Sequence, residues 1–185
     1  MGAGSYKLPK LNKKEKALAL EHPKEFSVYV SCGREAVRMT SERYKNGRDL
    51  GNGDAFRHAV WNALLVCRFF AMGKGTPDQC QELARKWTSA HEVPFEERKY
   101  EEMSLDQFMT DKEMDLINNR LGRILGRIYI DDEERAIEAI GRKIDSGEFV
   151  KIKEDRQMSW RVRRFIEEIP EWTLKKTSIK GKATL

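Results

Sequence analysis

The chain has 185 residues, 39% apolar and 35% charged, with a formal net charge of +5 and three cysteines. That length supports one domain with a real core, and the apolar groups are clustered rather than diluted, which excludes global disorder. An odd set of widely spaced cysteines (Cys32, Cys67, Cys80) is neither a disulfide framework nor a zinc motif, and no apolar run approaches the ~18 residues of a membrane span.

The N-terminus shows no apolar stretch of a secretory signal, so the expected location is the cytoplasm as synthesised, with any export by a signal-independent route. Basic residues concentrate near both ends, at Lys7, Lys10, Lys13, Lys14 and Lys16 and at Lys175, Lys176, Lys180 and Lys182. Such a balance permits an anionic partner without demanding one. There is no established nucleic-acid recognition motif, so nucleic-acid binding stays open on charge alone.

Residues 1–11 read as a flexible lead-in. Asn12 with Glu15 makes a box-like cap that starts a first helix, running to about His22 before Pro23. A second helix covers roughly 24–46, with Phe26, Tyr29, Val30, Gly33, Val37 and Tyr44 near helical spacing. Glycines and asparagines break 45–53 into a loop. The third helix, about 54–72, is the most apolar and ends at Gly73-Lys74-Gly75. Thr76, Pro77 and Gln79 open a fourth at about 77–92.

A less regular stretch, 93–109, follows Pro94. Thr110 with Glu113 caps a fifth helix to about Tyr129, and Asp131 with Glu134 a sixth to about Ser146, where Gly147 ends it. Residues 148–153 alternate like a short extended segment, and a last helix is expected at about 157–168. The expected class is all-α: a single-domain irregular bundle of about six or seven helices. It spans 12–170, with its motifs in 45–130 and a basic tail at 171–185.

The third helix carries the chemistry. It is apolar on most sides, as a helix in the middle of a domain must be. Yet Asp54, His58, Trp61 and Asn62 fall at i, i+4, i+7 and i+8 on one face, with Arg57 at its margin. Burying a carboxylate, an imidazole, an amide and a guanidinium costs several kcal/mol unless each finds a partner. The fifth helix offers a matching face: Asp115, Asn118 or Asn119, Gly122 and Arg123. Its opposite stripe, Met114, Leu121, Leu125 and Ile128, is expected in the core. A third element is His91-Glu92 at the end of the fourth helix. Each residue also has a plain structural reading: Asp54 as a helix N-cap, the arginines as carboxylate clamps, the asparagines as hydrogen-bond glue and Trp61 as core.

The segments DAFRHAVWNALL (54–65), SAHE (89–92) and MDLINNRLGR (114–123) resemble an uncharacterised bacterial domain family found at the ends of polymorphic-toxin and wall-associated proteins. The resemblance covers about 45–130, in order and approximate spacing. The family pattern often has His where this chain has Ile117. The resemblance implies an all-α domain in a toxin or effector context, with a cognate immunity or delivery protein as the expected partner. It supplies no reaction. By position, Asp54, Arg57, His58, Asn62, His91, Glu92, Asp115, Asn118, Asn119 and Arg123 match the motif's polar residues.

Two function classes follow. In the first, the chain is a hydrolase of a phosphodiester or other anionic substrate. His58 is the general base, held by Asp115 or Glu92, and His91 the acid or second base. Arg57 or Arg123 stabilises developing negative charge, and Asp54, Asn62, Asn118 and Asn119 bind substrate. His58, His91 and the carboxylates also suit zinc or manganese, and no close-spaced motif chooses between metal-dependent and metal-free chemistry. In the second class, the chain is a binding or interaction module whose polar network sets helix register.

Overall fold

The most apolar segment of the chain forms the helix around which the others pack. The computed structural model describes residues 11–44, 51–91 and 105–148, with 105–113 as backbone alone. Among them are six α-helices: α1 Lys13–Glu21, α2 Pro23–Arg43, α3 Asn52–Ala71, α4 Pro77–His91, α5 Leu105–Ile128 and α6 Glu133–Asp145. The domain is all-α, and no strand occurs among the described residues. None of the described helices is long and apolar enough to cross a membrane. The segments 148–153 and 157–168 lie wholly or almost wholly outside the described residues.

α3 packs against α2, α4, α5 and α6, while α1 packs on α2 and α4. Phe56, Val60, Leu64, Leu65, Val66 and Phe69 are buried around its circumference. α2 turns a stripe of Tyr29, Cys32, Ala36 and Thr40 to the core. Of the expected residues Tyr29 is fully buried, and Phe26, Val30 and Tyr44 pack partly buried against the core. Burial pushes the Cys32 and Cys67 thiols up to about 12, so both are inert core groups.

The local start and stop signals behave largely as their chemistry dictates. Asn12 Oδ1 accepts from the Lys14 and Glu15 N–H groups at 2.9 Å each, and the Asn12 N–H donates to Glu15 at 2.8 Å. Thr76 and Gln79 form the same reciprocal pair ahead of α4. Gly73, at φ 69°, closes α3: its N–H reaches Phe70 O at 2.8 Å and that of Lys74 reaches Phe69 O at 3.0 Å. This is the left-handed C-cap that glycine favours.

Four expectations are corrected. α3 begins at Asn52, so Asp54 lies inside the first turn and is not the N-cap. A carboxylate there still interacts favourably with the helix dipole. α5 begins at Leu105, ahead of Thr110. LDQFM contains no breaker, and Ser104 and Gln107 stand at capping-box spacing in the sequence. α6 uses Asp132, not Asp131, as its cap, with the Asp132 side chain accepting from Arg135 N at 2.9 Å. Ile128, expected in the core, is exposed at the last position of α5, whereas Met114, Leu121 and Leu125 are buried.

The decisive packing is between α3 and α5. A Cβ added at Gly122 would run into the Ala59 backbone, and one at Gly126 would meet Ala63 O at 2.7 Å. Two glycines one turn apart therefore let the helix backbones touch. Gly122→Ala should destabilise the fold by about 1–3 kcal/mol through overpacking, read as a lower midpoint in urea unfolding. An unchanged midpoint would mean that the helices do not meet there.

Candidate functional site

The close crossing at Gly122 sets the polar faces of α3 and α5 opposite each other. Asp54, His58 and Asn62 come from one helix; Asp115, Asn118, Asn119 and Arg123 come from the other. All but Asp115 are almost fully buried, and Asn62 and Asn118 have no exposure at all. The side chains of Asp115 and Arg57 are 20% and 28% exposed, so the slot opens to solvent beside them.

The hydrogen bonds can be followed from the deep end outward. Arg123 Nη1 donates to Asn62 Oδ1 at 2.9 Å, and Thr88 Oγ1 from α4 lies 3.0 Å from the same oxygen. A guanidinium only donates, so this end of the Asn62 amide is its oxygen. The amide nitrogen then faces His58 O at 2.9 Å and Asn119 Oδ1 at 2.6 Å, and donates to both. The Asn119 atom there must be its oxygen. That oxygen lies 3.2 Å from His58 Nδ1, which therefore carries the proton. In the neutral imidazole, Nε2 is left with the lone pair.

Nε2 points at the slot's mouth. It lies 3.2 Å from Asp115 Oδ1 and 3.6 Å from Asp54 Oδ1. Arg57 Nη2 pairs with Asp54 and stands 3.3 Å from the same Nε2. Two carboxylates, one imidazole and one guanidinium thus converge on a small volume. The Arg57 guanidinium is the cation that the described residues set beside this negative charge.

His91 is tied elsewhere. Its Nδ1 pairs with Glu15 Oε1 at 2.9 Å, and its ring packs edge-on against Trp61. Glu15 also accepts from the Tyr29 hydroxyl at 2.6 Å, and Asn12 Nδ2 reaches Ala90 O at 2.7 Å. This second cluster clasps the start of α1 to the end of α4. The expected meeting of His91 with His58 is therefore not seen, since the clasp holds His91 towards α1. Glu92 lies outside the described residues.

Three polar participants escaped sequence reasoning: Thr88, Glu15 and Tyr29. Glu15 was hidden by its own cap signal, because a residue that completes a capping box needs no other explanation. Thr88 lies one turn beyond Ala84 on the buried side of α4, where a threonine hydroxyl has to find a partner, but that signal is weak.

Burial alone would raise the Glu15 carboxyl. Hydrogen bonds from His91, Tyr29 and the Asn12 N–H outweigh it and hold the group below the ordinary glutamate range. A depressed carboxylate contributes stability that is present above its unfolded value and lost as pH falls through the folded one. Glu15→Gln should therefore cost about 1–3 kcal/mol at neutral pH, and the gap to wild type should close as pH drops below ~4.3. Urea melts at several pH values check this; a gap equally wide at pH 3 and pH 7 would contradict it.

Fold and site together define an all-α protein built around a buried carboxylate–imidazole–amide centre. The chain belongs to the family described as a domain of unknown function, DUF6973, whose pattern matches residues 16–148. That span includes every residue of the slot, while Asn12 and Glu15 of the clasp precede it. No curated protein and no solved structure matches the chain.

Proposed function

We propose that the chain is a hydrolase of the bacterial toxin or effector kind, acting on an anionic substrate such as a phosphodiester, with His58 at its reacting centre. The single observation that carries this reading is the aim of His58 Nε2: a buried, tautomer-fixed imidazole presents its basic nitrogen to the mouth of the slot, 3.2 Å from Asp115.

In the reaction, Nε2 takes a proton from a water at the mouth as that water attacks the phosphorus or acyl centre, the bond to the leaving group breaks, and the imidazolium returns the proton to that leaving group. Arg57, the more exposed cation, meets the negative charge that develops on the substrate oxygen. Asp54 and Asp115 hold positive charge at the centre, and Asn62, Asn119 and Arg123 keep the imidazole in place. Asn118, buried beside them, supports the same face. His91 belongs to the clasp in this reading and is not the second acid. The DAFRHA, AHE and MDLxNNxxGR resemblance supports the toxin context, in which a cognate immunity or delivery protein is the natural partner. An interaction module is the second reading; the near-complete burial of Asn62, Asn118 and Asn119 favours it, because a core network can exist for specificity alone.

Expression tests separate the two. His58→Asn keeps a donor near the Nδ1 position and deletes Nε2, so it should abolish growth inhibition, with a rate loss of ~10²–10⁴-fold on a true substrate. Its helical circular dichroism should stay intact. His91→Ala should lower thermal stability and leave growth inhibition in place. A wild type harmless in both cytoplasm and periplasm, or a toxic His58→Asn, would defeat the hydrolase reading.

A further inference from the structure

We infer that Asp54, His58 and Asp115 hold a divalent cation, with His58 Nε2 and one oxygen of each aspartate as ligands. Its binding stands on geometry alone; its use in catalysis rests on the hydrolase reading, in which the bound ion would activate the water in place of Nε2 and His58 would serve as its ligand and not as the base.

The three ligand atoms all lie within 4.8 Å of one another. Metal–ligand bonds of ~2.1 Å require ligand–ligand edges of ~3.0 Å in an octahedron and ~3.4 Å in a tetrahedron. The observed Nε2 separations, 3.2 Å to Asp115 and 3.6 Å to Asp54, are close to these edges, and the two carboxylates, within 4.8 Å of each other, would draw together around the ion. One imidazole nitrogen with two carboxylate oxygens suits manganese, iron or zinc rather than the all-oxygen cage of calcium. Three protein ligands leave coordination positions open for water and substrate.

The surroundings point the same way. A ligating histidine characteristically donates its other N–H to an acceptor that fixes its tautomer. Here that acceptor is Asn119 Oδ1, whose orientation descends from Arg123 through Asn62. Asp54 and His58 are one turn apart on α3, and Asp115 projects from α5, so the site is built on two rigid helices and not on loops.

The Arg57 guanidinium stands where an ion would bind Asp54 and Nε2. It pairs with Asp54 and is the most exposed member of the group. A divalent ion bound to both carboxylates would displace Arg57 towards the mouth, where it can meet an anionic substrate.

The test is calorimetric titration of the full chain, stripped of metal by chelator, with Mn²⁺ and separately with Zn²⁺. One ion per chain is expected, together with a raised unfolding temperature. Asp115→Ala, at the solvent-facing edge and so least disruptive, should lose that binding, as should His58→Asn. Arg123→Met should weaken it by ~10–100-fold, the usual loss when a group that orients a ligand is removed. Arg57→Ala should strengthen it. A wild type that takes up neither ion, or a folded Asp115→Ala that binds as well as wild type, overturns the inference. Growth inhibition that needs His58 in a chain that binds no ion would defeat the metal and spare the hydrolase. Stoichiometric binding with growth inhibition intact in His58→Asn would do the reverse.

Discussion

The crossing of α3 and α5 at Gly122 and Ala59 is the constraint on which the rest of the molecule depends. With the backbones in contact, the amides of Asn62 and Asn119 come within 2.6 Å of each other, and Arg123 reaches across to Asn62. Were the helices further apart, these groups would be buried without partners, each at a cost of about 1–3 kcal/mol. Close approach and polar pairing therefore enforce one another. The glycines permit the distance and the hydrogen bonds penalise any other.

Direction travels outward through that network. A guanidinium locked in the core dictates which end of the Asn62 amide faces it. That choice passes to Asn119, and from Asn119 to the imidazole of His58. A fixed positive charge in the interior thus determines which ring nitrogen of His58 faces Asp54, Arg57 and Asp115 with its lone pair. Few buried networks of uncharged amides alone could do this, because an amide can rotate to exchange donor for acceptor and a guanidinium cannot. The clasp of Glu15, His91 and Tyr29 works separately, tying α1 to α4 through a buried carboxylate.

Much of this was legible in the residues. The apolar third helix and the polar faces at 54, 58 and 62 and at 115, 119 and 123 follow from helical periodicity alone, as do the caps at Asn12 and Thr76. The sequence misled where one signal had two competing explanations. Asp54 looks like a cap because Asp is a good cap, but Asn52 and Gly53 extend the helix past it. Thr110 resembles a cap although helix-forming residues precede it. Asp131 and Asp132 offer equivalent caps, and only one can be used. His91 was grouped with His58 because both are histidines flanked by acidic or amide residues, and spacing along a chain does not say which carboxylate a histidine meets.

By itself, the sequence determined that the protein is helical, that one helix is buried, and that two helices each present acidic, amide and basic groups along one face. These are consequences of periodicity and burial cost, which act within about a dozen residues. Only the tertiary structure decided that His58 meets Asp115 and Asn119 while His91 meets Glu15, and that Arg123 governs the imidazole's tautomer. The reason is geometric: such pairings join residues more than fifty positions apart, and they are set by where helices cross and at what distance, which no local pattern encodes.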